Sequence, residues 1–377
     1  MTRTPGGPPT APAAGGSGAE IDLRRAREGR TLPRVVQRSG PSSLMVSLPR
    51  EWTQREEVRA GQFVYWLLDP LGSLSLIAST APGTPPPVRT FSRRWARFDG
   101  DLLRRVLRSA YVLGYDRVVL ESGEPMTEPL RELAERATHE LLGFGLTERT
   151  PSRIVAVSFL DPTTRPVGEV IGRMGMAVDL LLERLETALS RGTKEGLARC
   201  AEMDTEIRRL QALALRQLNL AAADGRLARQ LGVYRASHLL GNRVVVETMD
   251  DLAEAVQFVV GQLVGLRRWD PPLRSVLRPL AERVSAIRTD LAQALEALRN
   301  GSSEGALGVL DRRREDAGRL LRTDAGIRRL PARLEYRASM AQCSLWIGIA
   351  HQNVRSIAEV AFTRSLVGED SSGALRP

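Results

Sequence analysis

The arginines between residues 34 and 78 are the side chains of this 377-residue sequence with the clearest chemical use. They stand in the turns and the short helix of a segment whose pattern reads strand, turn, strand, helix and hairpin. Guanidinium groups form charge-assisted hydrogen bonds with phosphate oxygens, and a small β module that exposes several of them suits contact with DNA. We therefore expect this segment to carry the main clue to function.

The elements of this segment follow from the spacing of its apolar residues. Residues 44–48 (LMVSL) alternate with a period of two, which predicts a strand with one buried face. Pro49 suits the first position of a helix that continues to about Glu57. The apolar run 63–68 predicts a strand buried on both sides, and residues 73–77 alternate again after a turn. Four short strands cannot close a sheet without edges, so we expect the segment to pair with a second chain.

This segment resembles the AbrB/SpoVT (swapped-hairpin) domain. The resemblance rests on the strand 44–48, the helix start Pro49-Arg50-Glu51-Trp52, Val58 followed by Ala60-Gly61, and the hairpin around Gly72. It implies a homodimer in which two copies interlock into one β-barrel that presents basic residues to double-stranded DNA. The alternative is that these arginines are ordinary solvated surface residues. The candidates for DNA contact are Arg34, Arg38, Arg50, Arg55 and Arg59.

The chain on either side of this module divides into regions of different composition. Residues 1–30 are rich in Pro, Gly, Ser and Ala without periodicity, which predicts a disordered arm before the module at 31–80. The stretch 80–87 (TAPGTPPP) is typical of a linker. Residues 89–160 predict a small α/β unit with a structural or dimerising role. Its predicted helices are 101–113 and 129–142, each followed by a glycine, and its predicted strands are 117–121 and 153–160.

A duplicated helical half follows. Residues 188–196 (ALSRGTKEG) match 297–305 (ALRNGSSEG), and YRAS at 234–237 recurs at 336–339. Together with apolar residues at three and four spacing, these repeats predict tandem three-helix bundles at 166–268 and 271–367, followed by a tail at 368–377. The predicted helices are 167–190, 194–222, 233–267, 272–299, 303–322 and 331–366. The expected fold class is multidomain α+β and mostly α overall, with a swapped-hairpin β-module, a small α/β linker unit and tandem three-helix bundles.

The helical half resembles the phosphate-uptake regulator family known as PhoU. The matching segments are Gly172-Arg-Met174 in the first helix, 204–210 (DTEIRRL) with 216–218 (RQL) in the second, and 247–251 (ETMDD) with Ala253 in the third. The resemblance spans about 200 residues. It implies a role in phosphate homeostasis, with a sensor histidine kinase or a phosphate ABC transporter as protein partner.

The PhoU resemblance also raises the question of a metal. Members often carry acidic pairs at i, i+4, which place two carboxylates on one helical face and suit hard or borderline cations. Glu247 and Asp251 keep this spacing, whereas Asp204 is followed four residues later by Arg208. We expect no cofactor, and at most a single divalent or ferric ion in the first bundle, held by Glu247, Asp251 and Asp204. The alternative, which we favour, is that Glu247 and Asp251 pair with arginines such as Arg208 or Arg235.

Several other kinds of chemistry are not indicated. The net charge of +10 suits a polyanionic partner. Lys194 is the only lysine, however, so nearly all of the positive charge is arginine, which partly reflects the base composition of the genome. Cys200 and Cys343 stand far apart, as expected of buried apolar residues in a reducing cytosol. The three histidines are scattered, and catalytic or nucleotide-binding motifs are absent, so we expect no enzyme. No apolar run reaches transmembrane length, and we expect a cytoplasmic protein without membrane insertion.

Three functions of different classes remain open. The first is a DNA-binding regulator of phosphate uptake that reads DNA through the module and takes input through the helical half. The second is an adaptor that docks on a sensor kinase or phosphate transporter and uses the module only for dimerisation. The third is a metal-storing or metal-sensing bundle. We favour the first.

Overall fold

The computed structural model describes residues 34–41, 43–55, 57–68, 74–78, 88–266, 269, 271–331 and 334–373. The chain divides into two compact units, Met1–Pro86 and Pro87–Pro377. The predicted arm at 1–30 and the predicted linker at 80–87 lie outside the described residues.

The first unit contains two short antiparallel strand pairs and a helix. Strands β1 (Gln37–Arg38) and β2 (Leu44–Met45) form one pair, and β3 (Val64–Leu68) and β4 (Leu74–Ala78) form the other. Helix α1 (Arg50–Arg55) lies between the pairs in sequence. The predicted order of strands and helix is confirmed, although the strand predicted at 44–48 is limited to two residues.

The prediction that the strand at 63–68 is buried on both sides is wrong for the single chain. Trp66 in β3 is 53% exposed, and Phe63 just before it is 79% exposed. The physical reason is that a two-stranded hairpin has no layer to cover both of its faces.

The second unit begins with a four-stranded sheet and two helices. Their order in sequence is β5 (Thr90–Trp95), α2 (Gly100–Val112), β6 (Arg117–Ser122), α3 (Glu128–His139), β7 (Phe144–Arg149) and β8 (Arg153–Ser158). The strand order is β5-β6-β8-β7, with β5 and β6 parallel and the other neighbours antiparallel. The glycines predicted to end the two helices, Gly114 and Gly143, both have positive φ. Strands β5 and β7 were not predicted from the sequence.

The rest of the second unit is helical. Helices α4, α5 and α7 pack against one another, α8 packs with α9, α10 and α11, and the two sets meet through α4 on α8 and α7 on α11. Their buried side chains form one continuous hydrophobic core. No described helix combines the length and hydrophobicity needed to span a bilayer. The helices are α4 (Val167–Arg191), α5 (Cys200–Ala223), α6 (Gly225–Gln230), α7 (Ala236–Gly265), α8 (Arg274–Asn300), α9 (Ser303–Asp311), α10 (Arg313–Arg329) and α11 (Leu334–Gly373).

The repeated sequence at 188–196 and 297–305 ends a helix in the same way in both copies, although a new helix starts at Ser303 in the second copy and residues 193–196 of the first are coil and turn. Helices α4 and α8 end at Gly192 and Gly301, which both adopt left-handed conformations with φ of 65° and 68°. Their backbone N–H groups donate to the carbonyl oxygens of Ala188 and Ala297 respectively. A left-handed residue at a helix C-terminus favours glycine, which explains why this position is shared by the two copies.

Several helix boundaries differ from the prediction, and α5 begins at Cys200 rather than at 194. The helix predicted at 303–322 is divided into α9 and α10 at Arg312, whose side chain turns inward to Asp290. The short helix α6 intervenes before α7, which therefore begins at Ala236 rather than at 233. Helix α11 continues to Gly373, into the region predicted as a tail.

Helix α5 also joins the helical set to the sheet region. Its Arg216 is 1% exposed and donates from Nη1 to the carbonyl oxygens of Tyr111 (2.9 Å) and Tyr115 (2.8 Å). Its Nη2 donates to Asp116 Oδ1 at 2.6 Å. Burial lowers the pKa of Arg216, and Asp116 partly offsets that effect. The unit predicted at 89–160 therefore packs with the helices within one compact unit.

Candidate functional site

The arginines predicted to contact DNA lie on the first unit. Arg38 is in β1 and Arg50 is the first residue of α1, whereas Arg34 and Arg59 lie outside the regular elements. All four are exposed, as contact with phosphate requires. Arg55 is the last residue of α1, and its side chain lies outside the described part of the chain.

Large apolar side chains are exposed on the same unit. Val36, Leu44 and Met45 stand in or beside the first strand pair, and Phe63 and Trp66 in or beside the second, and each is more than half exposed. Burying each such side chain is worth about 1.5–3 kcal/mol, so their combined exposure favours self-association. The first unit therefore combines exposed guanidinium groups with apolar surface that a second chain can cover.

The three carboxylates predicted to hold a metal in the first bundle do not converge. Asp204 Oδ2 accepts from Arg208 Nε at 3.0 Å, and Glu247 Oε1 accepts from Arg243 Nη2 at 3.1 Å. Asp251 is exposed. These residues do not belong to any described group whose potential metal ligands lie within 4.8 Å of one another. The alternative favoured from the sequence is that Glu247 and Asp251 pair with arginines such as Arg208 or Arg235. Glu247 does pair with an arginine, which is Arg243, whereas Arg208 pairs with Asp204.

The carboxylate that faces α5 is Asp250, one residue before the predicted Asp251. Gln211 Nε2 donates to Asp250 Oδ2 at 2.8 Å and more weakly to Glu247 Oε2 at 3.4 Å. Burial, reinforced by nearby Glu254, raises the pKa of Asp250 to about 6. Below about pH 6 this carboxyl group is therefore mostly protonated, and a protonated carboxyl group is a poor ligand for a cation.

A second polar cluster lies inside the helical set, and the sequence did not reveal it. Asp290 of α8, Asp316 of α10 and His351 of α11 are all buried. His351 Nε2 lies 2.7 Å from Asp290 Oδ2 and 3.2 Å from Asp316 Oδ2. In the described part of the chain this is the one group of three or more His, Cys, Asp or Glu residues whose ligand atoms converge. We call these three residues the buried triad.

Arginines neutralise both carboxylates of the buried triad. Arg312 Nε donates to Asp290 Oδ1 at 2.8 Å. Arg319 Nη1 and Arg355 Nη2 donate to the two oxygens of Asp316 at 2.7 and 2.6 Å. Burial by itself would raise the pKa of Asp290, but hydrogen bonds from His351 and Arg312 outweigh it, so that this pKa lies below its ordinary value.

The arginine pairs decide what the buried triad can do chemically. Two carboxylates and one histidine are a feasible donor set for a divalent cation. A cation would, however, have to compete with three guanidinium groups that already occupy the carboxylate oxygens. The cluster is therefore better suited to structural charge balance, or to an anion beside the arginines, than to a metal ion.

One sequence signal could have located the buried triad. Asp290 stands between Ile287 and Leu291 on the buried stripe of α8, and His351 lies between Ile347 and Val354 on that of α11. Polar residues at core positions require buried partners. The sequence gives no way to identify those partners, because they come from three different helices.

The two cysteines agree with the prediction. Cys200 and Cys343 are free and buried, and burial raises the pKa of the Cys343 thiol to about 12. A thiol in this state is neither a ready nucleophile nor a metal ligand.

Comparison with known proteins gives no further assignment. No protein-family model, no curated protein and no solved structure matches the chain.

Proposed function

We propose that this chain is a dimeric DNA-binding regulator of phosphate uptake. The observation that carries the proposal is the first unit, in which four exposed arginines stand among large exposed apolar side chains. Phosphate contacts from arginine give affinity and position a protein on DNA, while the apolar surface supplies a reason to dimerise. The order of strands and helix agrees with the resemblance to the AbrB/SpoVT domain.

The helical half supplies the input in this proposal. Its support is the resemblance to the PhoU family and the repeated helix end at Gly192 and Gly301. Because Asp204 and Glu247, two of the three acidic residues predicted as metal ligands, pair with arginines, the input is better explained by a protein or anion contact than by a metal cluster.

Salt-dependent binding of the full chain to duplex DNA tests the proposal. Substituting Arg38→Gln and Arg50→Gln together should weaken binding and reduce the slope of log K against log salt by roughly 0.9 for each phosphate that the variant no longer neutralises. The matched control is Arg278→Gln with Arg314→Gln, which removes the same charge from exposed arginines of the second unit. Equal weakening in both double variants, or no binding at low salt, would overturn the proposal.

The phosphate part of the proposal needs a separate experiment. Chromatin immunoprecipitation and sequencing in the source organism should show sites that gain or lose occupancy on phosphate starvation. Occupancy that does not change with phosphate supply would be compatible with DNA binding but would contradict a role in phosphate regulation.

The adaptor function is the second candidate, and a groove between α7 and α11 favours it. The groove has a volume of about 560 Å³ and is lined in part by Leu240, Val244 and Val360. Leu240 is 72% exposed, so the groove offers apolar surface for a partner helix. A chain that binds no DNA but binds a sensor kinase, and no longer does so after Leu240→Ser, would favour this candidate.

A further inference from the structure

A cavity of about 190 Å³ opens beside the buried triad, between α8, α10 and α11. This volume is many times the space that one water molecule requires. Most of the charged groups on its wall are cationic, and Asp316 is the one carboxylate in the lining. The other polar side chains of the lining are Arg283, Arg313, Arg319, His351, Gln352 and Arg355.

Arg283 is the most deeply placed of the cationic groups. It is 5% exposed, and its guanidinium donates to Ser344 Oγ at 2.6 Å and to the Ser344 carbonyl oxygen at 2.9 Å. It forms no ion pair with a described carboxylate, because Asp324 is reached only through Ser344 Oγ. Burial lowers the pKa of Arg283 to about 10, which leaves it charged at neutral pH. The hydrogen bonds of Arg283 go to neutral acceptors, and the charges of Asp324 and Asp316 offset only part of the effect of its burial, so an anion in the cavity would stabilise it further.

One further feature leaves the guanidinium of Arg283 accessible from the cavity. Gly348 lies on the wall beside Arg283, and a side chain there would begin 3.4 Å from Arg283 Nη2. Its lack of a side chain keeps that face of the guanidinium open.

The charges of the lining decide the class of ligand. Four arginines face one aspartate on the cavity wall, while Asp290 is balanced behind it by Arg312. This arrangement disfavours a cation and favours a compact anion with several acceptor oxygens. We propose that the cavity binds a small tetrahedral oxyanion of the phosphate or sulfate class, held by Arg283, Arg313 and Arg355.

Asp316 distinguishes the two oxyanions. Its two oxygens accept from Arg319 and Arg355, and a carboxylate has about four acceptor sites, so an acceptor site remains. A phosphate that retains a proton can donate to that site, whereas sulfate is fully ionised at neutral pH. The cavity should therefore prefer phosphate to sulfate.

Calorimetric titration of the full chain with inorganic phosphate, and separately with sulfate, tests the proposal at constant ionic strength set by sodium chloride. The expected result is saturable binding of one anion per chain. Arg313→Gln should weaken it about tenfold, because the variant removes one charge-assisted hydrogen bond. Arg314→Gln is the matched control, since this neighbouring arginine is also exposed but does not line the cavity, and it should change affinity less than about twofold.

The more deeply placed Arg283 supplies a second variant. Arg283→Lys should abolish saturable binding in a chain whose circular dichroism shows it to be folded, and Arg313→Gln keeps the test decisive if that variant does not fold. Binding of either anion with a selective effect of Arg313→Gln supports the proposal, and the tighter anion identifies the ligand. Absence of saturable binding, or equal weakening by Arg313→Gln and Arg314→Gln, overturns it.

This inference stands apart from the DNA-binding proposal. A chain that binds the oxyanion but not DNA would contradict the proposed function and support the role of the cavity. A chain that binds DNA but not the oxyanion would support the proposed function and contradict the role of the cavity.

Discussion

Asp250 and Asp251 are neighbours in the sequence but lie in different surroundings in the fold. Asp251 is exposed, whereas Asp250 is turned toward α5 and accepts from Gln211. The i, i+4 spacing correctly places Glu247 and Asp251 near one another along α7, but it does not determine which face of the helix is covered. At the scale of the residue, the partly buried acid is therefore Asp250, one position before the Asp251 that the motif selects.

The raised pKa of Asp250 predicts a specific dependence of stability on pH. Its pKa is about 6 in the folded chain against 3.8 ordinarily, so the folded state binds the proton more tightly. The free energy of unfolding must then fall as pH rises from about 4 to about 6. Asn cannot ionise and still offers an oxygen to Gln211, so Asp250→Asn should be more stable than the parent by roughly 2 kcal/mol at pH 7 and nearly equal to it below pH 4.

Urea unfolding of both proteins between pH 4 and pH 7.5 measures this difference. Asp251→Asn is the control, because it removes the same charge from the exposed neighbouring position. A constant difference between Asp250→Asn and the parent across this range would show that Asp250 does not titrate in the window.

At the scale of the element, long amphipathic helices could be predicted and short or interrupted elements could not. Helices α4 and α8 end within one residue of the predicted ends at 190 and 299, each just before a left-handed glycine of the repeat. The break at Arg312 depends on an inward contact with Asp290, which is remote in sequence. Strand β5 (TFSRRW) lacks a clear alternation, and it owes its place to parallel pairing with β6. Such tertiary contacts override local pattern, and the buried triad escaped prediction for the same reason.

Arg216 is the residue of α5 that we expect to stabilise the contact with the sheet region most strongly. It donates to two backbone carbonyls and to Asp116, and its guanidinium also lies 5.0 Å from the Tyr111 ring centroid. Arg216→Lys keeps the charge but removes the planar fork that reaches all three acceptors. We expect it to lower the free energy of unfolding by about 3 kcal/mol, measured by urea denaturation.

The control for this prediction is Arg208→Lys on the same helix. Arg208 is about half exposed and pairs with Asp204 and Glu254, so the same substitution there should have little effect. If the two variants were equally stable, the hydrogen bonds of Arg216 would not be what holds α5 against the sheet region.

At the scale of the whole molecule, the two compact units differ in how completely each covers its own apolar residues. The second unit has a continuous core of buried side chains. The described part of the first unit is small and leaves Phe63 and Trp66 largely exposed. Units of about 40 residues usually need disulfides, metals or oligomerisation to be stable. The first unit is thus the place where the molecule should associate.

Trp66 gives the sharpest test of that association. In a symmetric dimer Trp66→Ser removes two aromatic side chains from the interface, so the dissociation constant should rise by at least about a hundredfold. Size-exclusion chromatography with light scattering should then show a dimer for the parent and a monomer for the variant at micromolar concentration. Leu240→Ser is the control, because it replaces a large exposed apolar side chain in the second unit and should leave the dimer intact. A chain that dimerises through the second unit would instead become monomeric on Leu240→Ser and stay dimeric on Trp66→Ser. If the module reads DNA as a dimer, as we propose, Trp66→Ser should also weaken DNA binding, and it should leave the proposed oxyanion binding by the second unit unchanged.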